Sequence, residues 1–146
     1  MIPMQQVFSK INFLIGSRKV LEQMENIKVL PIFSCKALDF FDCLSKKLMS
    51  NSKANDYPDV IAYAFWIRRA SLKSAGIQYN AEGQKVGRGV AFQIAPSNIP
   101  VQFAVSMTYA LIAGNASIVR ISNKKFVQTD IICEAICEIL QDTYPE

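Results

Sequence analysis

The stretch GVAFQIAPSNIP, residues 89–100, decides the fold class of this chain. Its first seven residues carry no charge and are typical of a buried strand, which Pro96 stops, and Pro100 then begins an apolar helix. Gly114 is placed to end that helix, and a second, mostly apolar strand follows at residues 117–121. Two strands joined by a helical connection pair in parallel, so this half of the chain predicts a βαβ unit.

The N-terminal side of the chain has a helical pattern instead. Apolar residues recur at helical spacing over residues 35–49, where Ser34 is placed to cap the helix. They recur again in a second helix that is expected to begin after Asp56, with Pro58 in its first turn, and to end at Gly76.

The pattern changes character near residue 77. Residues 77–86 are expected to form a short hairpin that turns at residues 81–83, and a last helix is expected over residues 126–143. The fold class expected is therefore α/β: a helical N-terminal region, residues 1–76, followed by the βαβα half of a Rossmann-type parallel sheet, residues 77–146. Because two parallel strands are not a stable sheet alone, the chain is expected to be the truncated front of a larger protein.

Composition excludes several functional classes. Of the 146 residues 51% are hydrophobic and 19% charged, which is enough to bury a core. There is no histidine, so no Ser-His-Asp or Cys-His relay and no histidine-ligated metal can be completed. The net charge of +4 comes from scattered basic residues, which argues against nucleic-acid binding. The four cysteines show no CxxC spacing, so no zinc site is expected and the thiols are expected to be reduced, as in a cytoplasmic protein.

A membrane span is not expected either. The uncharged run over residues 89–119 is interrupted by Pro96 and Pro100, and its helical part, residues 101–113, is too short to cross a bilayer. The N-terminus lacks a basic segment ahead of an apolar run, so no signal peptide is expected, and a helix is expected within residues 5–25.

The turn over residues 95–100 is the first candidate for chemistry. It follows the carboxyl end of a strand, where open α/β sheets place their ligands, and Asn98 lies between two prolines that make it rigid. A fixed carboxamide at that place could donate to a developing oxyanion, or it could cap the following helix. Both interpretations are open on the residues alone.

The second candidate is the end of the second strand. Arg120 is followed by Ser122, Asn123 and two lysines at the edge of the sheet that Asn98 is expected to share. A cation and a hydroxyl there suit a nucleotide phosphate or ribose, and the alternative is an exposed basic loop in which Ser122 caps the last helix.

The remaining polar and thiol residues favour structural roles. Gly87 and Gly89 precede a strand rather than open a helix, so they fail as a dinucleotide fingerprint and indicate a turn. Cys133 and Cys137 are expected to pack, since the glutamates beside them would raise a thiol pKa rather than lower it. Cys35 and Cys43 are expected to pack as well, because they fall in a helical pattern with Phe neighbours. Those glutamates, at positions 134 and 138, are expected on a solvated face, and the aromatic run 63–66 is expected in the core.

Three ordered blocks resemble the aldehyde dehydrogenase superfamily: residues 89–100, the ALIAGN of residues 110–115 and the IVRIS of residues 118–122. Two segments, YPDVIAYAFWIRR at residues 57–69 and IAPSNIPV at residues 94–101, are most similar to the fatty acyl-CoA reductases of bacterial bioluminescence. The resemblance covers residues 55–146.

The resemblance implies a cytoplasmic, NADPH-dependent reduction of an acyl-CoA thioester to an aldehyde through a cysteine thioester. It implies that Asn98 is the oxyanion-hole donor, and that Ala95, Pro96 and Ser97 bind the nicotinamide side of the cofactor. Arg120 and Ser122 match positions that hold the adenosine ribose and its phosphate. The resemblance also allows the full-length protein to form a homo-oligomer.

Two departures from the family pattern affect the prediction. Asn123 stands where NAD-preferring relatives carry a ribose-binding carboxylate, which favours NADPH over NADH. None of the four cysteines matches the context of the nucleophile, so this chain alone is expected to be inactive. Two alternatives are another NAD(P)-dependent aldehyde or semialdehyde dehydrogenase and a non-catalytic interaction or nucleotide-binding module.

Overall fold

The computed structural model describes residues 11–79 and 84–143. In these residues the chain forms six α-helices and a two-stranded parallel sheet. In chain order the elements are α1 Arg18–Gln23, α2 Cys35–Ser50, α3 Pro58–Trp66, α4 Arg69–Tyr79, β1 Val90–Ile94, α5 Gln102–Ile112, β2 Ala116–Arg120 and α6 Val127–Thr143. The strand–helix–strand–helix order of the second half is the one the sequence predicts.

Helix α2 lies at the centre of the helical half. The Oγ of Ser34 accepts a hydrogen bond from the Ala37 amide at 3.3 Å, so the predicted N-cap is confirmed. The predicted apolar face of α2 is buried as well, with Phe41 and Leu44 fully enclosed. On the same helix Ser45 donates from Oγ to the Ala64 carbonyl of α3 at 2.7 Å, which ties the two helices together.

The second predicted helix is two helices, and both of its predicted ends are wrong. Its N-cap is Tyr57 rather than Asp56, because Pro58 already occupies the first helical position. The chain turns at the fully buried Ile67, between α3 and α4. Helix α4 then continues through Gly76, where a Cβ would come within 2.9 Å of the Phe33 ring, so this glycine permits close packing instead of ending the helix.

The predicted hairpin over residues 77–86 is therefore wrong in its first arm, which belongs to α4. Its predicted turn at residues 81–83 lies outside the described residues. Val86 forms an isolated antiparallel bridge with Pro31, far away in the sequence.

The helix expected within residues 5–25 is also shorter than predicted. Residues 1–10 are not described, and residues 11–17 are not helical. Helix α1 starts only after Gly16, whose φ of +80° is incompatible with a right-handed helix, and Ser17 caps it through Val20.

The two strands pair in parallel, in a register that aligns Val90 with Ala116 and Ile94 with Arg120. Helix α5 covers one face of the sheet, where Gln93 donates from Nε2 to the Ser106 carbonyl at 2.9 Å. The other face of β1 is open, with Phe92 63% exposed.

Glycine is required where residue 30 crosses the starts of both strands. The amide of Leu30 donates to the Gly114 carbonyl, and the Gly87 amide donates to the Leu30 carbonyl, both at 2.9 Å. A Cβ on Gly114, which has a φ of +80°, would lie 2.0 Å from the Leu30 oxygen. The Asn115 Oδ1 accepts from the Arg88 and Gly89 amides, so the glycines at 87 and 89 serve a turn into β1, as predicted.

One core joins the helical half to the sheet half. It combines Phe41 of α2 and Val60 of α3 with Ala104 of α5 and Ile132 of α6. Of the aromatic run predicted for the core, Tyr63 is buried, whereas Phe65 is 53% exposed and contradicts the prediction. No helix in the described ranges is both long and apolar enough for a bilayer span.

Candidate functional site

The turn after β1 and the loop after β2 begin side by side. The amide of Ala95 donates to the Arg120 carbonyl at 2.9 Å, which continues the parallel pairing to the last residue of β2. The carboxyl ends of both strands therefore form one edge of the sheet, and the turn that carries Asn98 leaves from the same edge as Arg120. This arrangement is the one the sequence predicts for the two candidate segments.

A shallow cleft lies between these segments and opens widely to solvent. Its surface comes from the two loops and from the first turns of α5 and α6. The lining residues are Ala95, Pro96, Ile99, Pro100, Phe103, Ile121, Ser122, Lys124, Phe126 and Thr129. Thr129 donates from Oγ1 to the Pro100 carbonyl at 3.3 Å, which joins the start of α6 to the turn after β1.

Half of the predicted site residues line this cleft. Ala95, Pro96 and Ser122 belong to the lining, whereas Ser97, Asn98 and Arg120 do not. Ser97 and Asn98 lie exposed on the turn between two lining residues. Arg120 is the register partner of Ile94, and paired residues of neighbouring strands face the same side, so it lies on the open face of the sheet.

Asn98 does not cap helix α5, and that alternative is wrong. The helix begins at Gln102 with Val101 as its N-cap, and no side chain caps it. The reason is that three residues, 99–101, separate Asn98 from the first helical residue, so Asn98 is too far along the chain to cap the helix. Within residues 11–79 and 84–143 the exposed carboxamide of Asn98 makes no hydrogen bond and is open to a ligand.

Ser122 does not cap helix α6 either. Its Oγ accepts from the Lys124 amide at 3.1 Å, which closes a small turn ahead of the helix, and α6 begins only at Val127. The Lys124 ammonium lies 5.0 Å from the centre of the Phe126 ring, within cation–π range. The loop is basic and exposed, as one of the two interpretations predicts, but a part of it also lines the cleft.

None of the four cysteines lines the cleft. Burial raises the pKa of the Cys133 thiol to about 12, with smaller contributions from Cys137, Asp130 and Glu134, so packing is confirmed for this residue. Cys137 is partly buried and donates to the Leu14 carbonyl. Cys35 and Cys43 are exposed, so their predicted packing is wrong: both lie on the face of α2 that points away from the core.

A second, polar hollow lies between the end of α2 and α6. It contains Glu134 and Glu138, and Glu138 pairs with Lys47 at 2.6 Å. Both glutamates are exposed, which confirms the predicted solvated face.

Comparison with known proteins identifies the family. The family model described as acyl-CoA reductase (LuxC) matches residues 8–144, and thus also most of the N-terminal region that the sequence resemblance left out. Searches of curated proteins and of solved structures give no match. Since the family model spans nearly the whole chain, the chain belongs to the acyl-CoA reductase (LuxC) family.

Proposed function

We propose that this chain supplies the oxyanion donor and one half of the cofactor site for an NADPH-dependent reduction of fatty acyl-CoA to an aldehyde. Membership of the family makes the protein an acyl-CoA reductase, hence an oxidoreductase that uses a pyridine nucleotide. The observation that carries the finer proposal is the shared edge of the two parallel strands. An exposed carboxamide lies on the turn after β1, and a mostly apolar cleft with one lysine lies between this turn and the loop after β2. Open α/β sheets bind their ligands at such an edge.

The residues at this edge of the sheet, inside and beside the cleft, are proposed to bind a phosphorylated nucleotide. Ala95, Pro96 and Ser97 would lie toward the nicotinamide, and Arg120 and Ser122 toward the adenosine ribose and its phosphate. The donor set supports this placement because the lining contains a hydroxyl and an ammonium but no carboxylate. The bound cofactor would supply a hydride.

The cleft alone does not enclose a nucleotide. It is a shallow, open depression with room for about one water molecule. The proposal therefore makes residues 77–146 a partial NADP-binding unit of the aldehyde dehydrogenase type, completed by residues outside this chain.

Asn98 is proposed to stabilise negative charge. Its side-chain N–H groups would donate to the thioester carbonyl oxygen as that oxygen becomes negative during attack by a thiolate. Pro96 and Pro100 restrict the backbone on both sides, which limits the region that the Asn98 carboxamide can reach. The free hydrogen-bonding capacity of Asn98 is what this role needs.

The attacking thiolate is proposed to come from outside these 146 residues. The pKa of about 12 keeps Cys133 protonated at neutral pH. Cys35 and Cys43 lie on α2, outside the cleft, and Cys137 is engaged with the Leu14 carbonyl. On this proposal the 146-residue chain alone has no reductase activity.

Calorimetry tests the half-site. Titration of NADPH into the 146-residue chain is expected to give weak binding or none, because much of the dinucleotide would remain in water. A micromolar dissociation constant would contradict the half-site.

Turnover of a complete enzyme that contains this chain and a nucleophile tests the role of Asn98. Asn98→Ala is expected to lower turnover on the order of 10²-fold, as the loss of one oxyanion donor does elsewhere. Asn55→Ala, at an exposed asparagine ahead of α3, is the matched control and is expected to keep full turnover. Full turnover in Asn98→Ala would remove this residue from the mechanism.

A further inference from the structure

The turn that carries Asn98 is held at both of its ends. At its start, the Ala95 amide donates to the last carbonyl of β2 at 2.9 Å. At its end, the Pro100 carbonyl accepts a hydrogen bond from the Thr129 Oγ1 at 3.3 Å. Between these two bonds, residues 96–98 make no hydrogen bond to any described residue. The two end bonds and the two prolines are therefore what restrains the turn.

Helix α5 gives little support to the end of the turn. Among the described residues no side chain caps the helix, and Pro100 has no amide hydrogen to donate. The Ala104 amide, which would reach the Pro100 carbonyl in a regular helix, donates to the Val101 carbonyl instead at 3.0 Å. The Thr129 hydroxyl thus supplies the bond that α5 does not give to the Pro100 carbonyl.

Thr129 is itself firmly placed in the protein. Its side chain is buried, with 7% of the residue exposed, and it lies in the first turn of α6. Ile131 and Ile132, which follow it on that helix, belong to the hydrophobic core that joins the two halves of the chain. An enclosed side chain on an anchored helix has little freedom to move, so its hydroxyl is a fixed donor for the turn.

We infer that Thr129 is a positioning residue for Asn98: its hydroxyl fixes the end of the turn and thereby the place of the carboxamide. The inference rests on the proposed oxyanion role of Asn98 and names the residue that supports it. The Pro100 carbonyl is only two residues from Asn98, so a shift at this carbonyl passes to the carboxamide along a short backbone. Thr129 acts through that backbone and does not touch the reacting atoms.

Relaxation of ¹⁵N in the labelled 146-residue chain tests the structural part of the inference without any need for activity. The reporters are the backbone amides of residues 97–99. Thr129→Val removes the hydroxyl and keeps the shape of the side chain. It is expected to lower the order parameters of these amides from a rigid value of about 0.85 toward a flexible value of about 0.6. Thr129→Ser retains the hydroxyl and is expected to retain the order.

Turnover of a complete enzyme that contains this chain and a nucleophile tests the functional part. Thr129→Val is expected to lower kcat about three- to ten-fold, the effect of one ordinary hydrogen bond, with the KM for acyl-CoA little changed. Thr129→Ser is expected to keep most of kcat. In an Asn98→Ala background Thr129→Val is expected to lower kcat no further, because its effect passes through the carboxamide.

Thr108→Val is the matched control for the loss of a buried threonine hydroxyl. Thr108 is fully buried on α5, and its Oγ1 donates to the Ala104 carbonyl at 2.8 Å and contacts the Tyr63 hydroxyl rather than the turn. This variant is expected to lower the melting temperature and to leave kcat and the order of residues 97–99 unchanged.

The outcomes distinguish this inference from the proposed function. Unchanged order of residues 97–99 or an undiminished kcat in Thr129→Val overturns the positioning role, while the role of Asn98 stands. An equal loss of kcat in Thr108→Val, or a further loss when Thr129→Val is added to Asn98→Ala, overturns it in the same way. Full turnover in Asn98→Ala overturns the proposed role of Asn98, and the inference fails with it.

Discussion

The two faces of strand β1 meet different surroundings. Ala91 and Gln93 lie under helix α5, and Gln93 donates to the Ser106 carbonyl of that helix. Val90, Phe92 and Ile94 point to the opposite side and are 43%, 63% and 66% exposed. Parallel sheets usually bury both faces. In the described part of this chain a helix covers only one face of β1, and the apolar side chains of the other face are exposed.

The difference teaches where the stability of this chain resides. Large side chains are enclosed on the helical side, where Phe41, Leu44 and Leu48 are completely buried. The strands are supported by this side alone, and so are the two loops that they carry to the cleft. We therefore expect changes on the helical side to be costly and changes on the open face to be nearly neutral.

Thiol reactivity should show the largest contrast. At pH 8 a thiol with a pKa of about 12 is ionised in about 1 molecule in 10⁴, and at the ordinary value of 9.0 in about 1 in 10. Iodoacetamide is therefore expected to modify Cys133 of the folded chain about 10³-fold more slowly than Cys133 of the urea-unfolded chain. Mass spectrometry of peptides gives both rates, and the exposed Cys35 and Cys43 serve as internal controls. Equal rates for Cys133 would contradict its burial.

The raised pKa of Cys133 also determines the direction in which its contribution to folding stability changes with pH. Cys133 stays neutral in the folded state up to a pKa of about 12, whereas the unfolded chain loses this proton near 9. Its contribution to stability is complete below pH 9 and is lost as the pH rises from 9 through 12.

Truncation of the central aromatic residue should have the next largest effect. Phe41 is fully buried on α2 and contacts no solvent. Phe41→Ala is expected to lower the free energy of unfolding by about 3–5 kcal/mol, because it removes a large apolar side chain and leaves a cavity. Urea denaturation followed by circular dichroism measures the free energy of unfolding. A loss below about 1 kcal/mol would contradict the position of Phe41 at the centre of the core.

Two glycines with the same backbone conformation give a smaller, matched contrast. Gly16 and Gly114 both have φ +80°, but a Cβ at Gly16 meets nothing within 4 Å, whereas at Gly114 it would lie 2.0 Å from the Leu30 oxygen. Gly16→Ala is expected to cost about 1–2 kcal/mol from the left-handed conformation alone. Gly114→Ala is expected to cost about 1–3 kcal/mol more from the steric clash. If the two variants lose the same free energy of unfolding in urea denaturation, the backbone at Leu30 can move away from the added methyl group.

The smallest effect is expected on the open face. Phe92→Ala is expected to change the free energy of unfolding by about 0.5 kcal/mol or less, since the ring is already 63% exposed. The same urea experiment compares it directly with Phe41→Ala. A loss above 2 kcal/mol would show that something covers this face in solution.

Periodicity predicted the parts of the fold that are determined by local patterns. The apolar face of α2, the Ser34 cap, both strands and the last helix follow from residue spacing. The continuation of α4 through Gly76 could not be predicted, because it depends on close packing against Phe33, a residue far away in the sequence. The division into two helices at Ile67 could not be predicted either, because no glycine or proline marks the turn.

The sequence predicted the edge of the sheet at which the candidate site lies, but not the side chains that line the cleft. Parallel pairing brings the two loops together whatever their detailed path, so the positions of Asn98 and Arg120 at one edge followed from the topology. Which side chains enter the cleft depends on the conformation of the loops. Lys124 was predicted at this edge as one of the two lysines that follow Arg120, although not as a lining residue. Phe126 was missed, because nothing in the sequence marks it.

The crossing at Leu30 has a consequence for how the chain folds. The backbone of this residue bonds to Gly87 and to Gly114, so three distant segments must meet before either strand has its proper start. Contacts between residues so far apart form late, because a long loop must close before they repay its entropy. During synthesis the helices of the N-terminal half can assemble first, and the amino ends of the two strands become fixed only after residue 114 has left the ribosome.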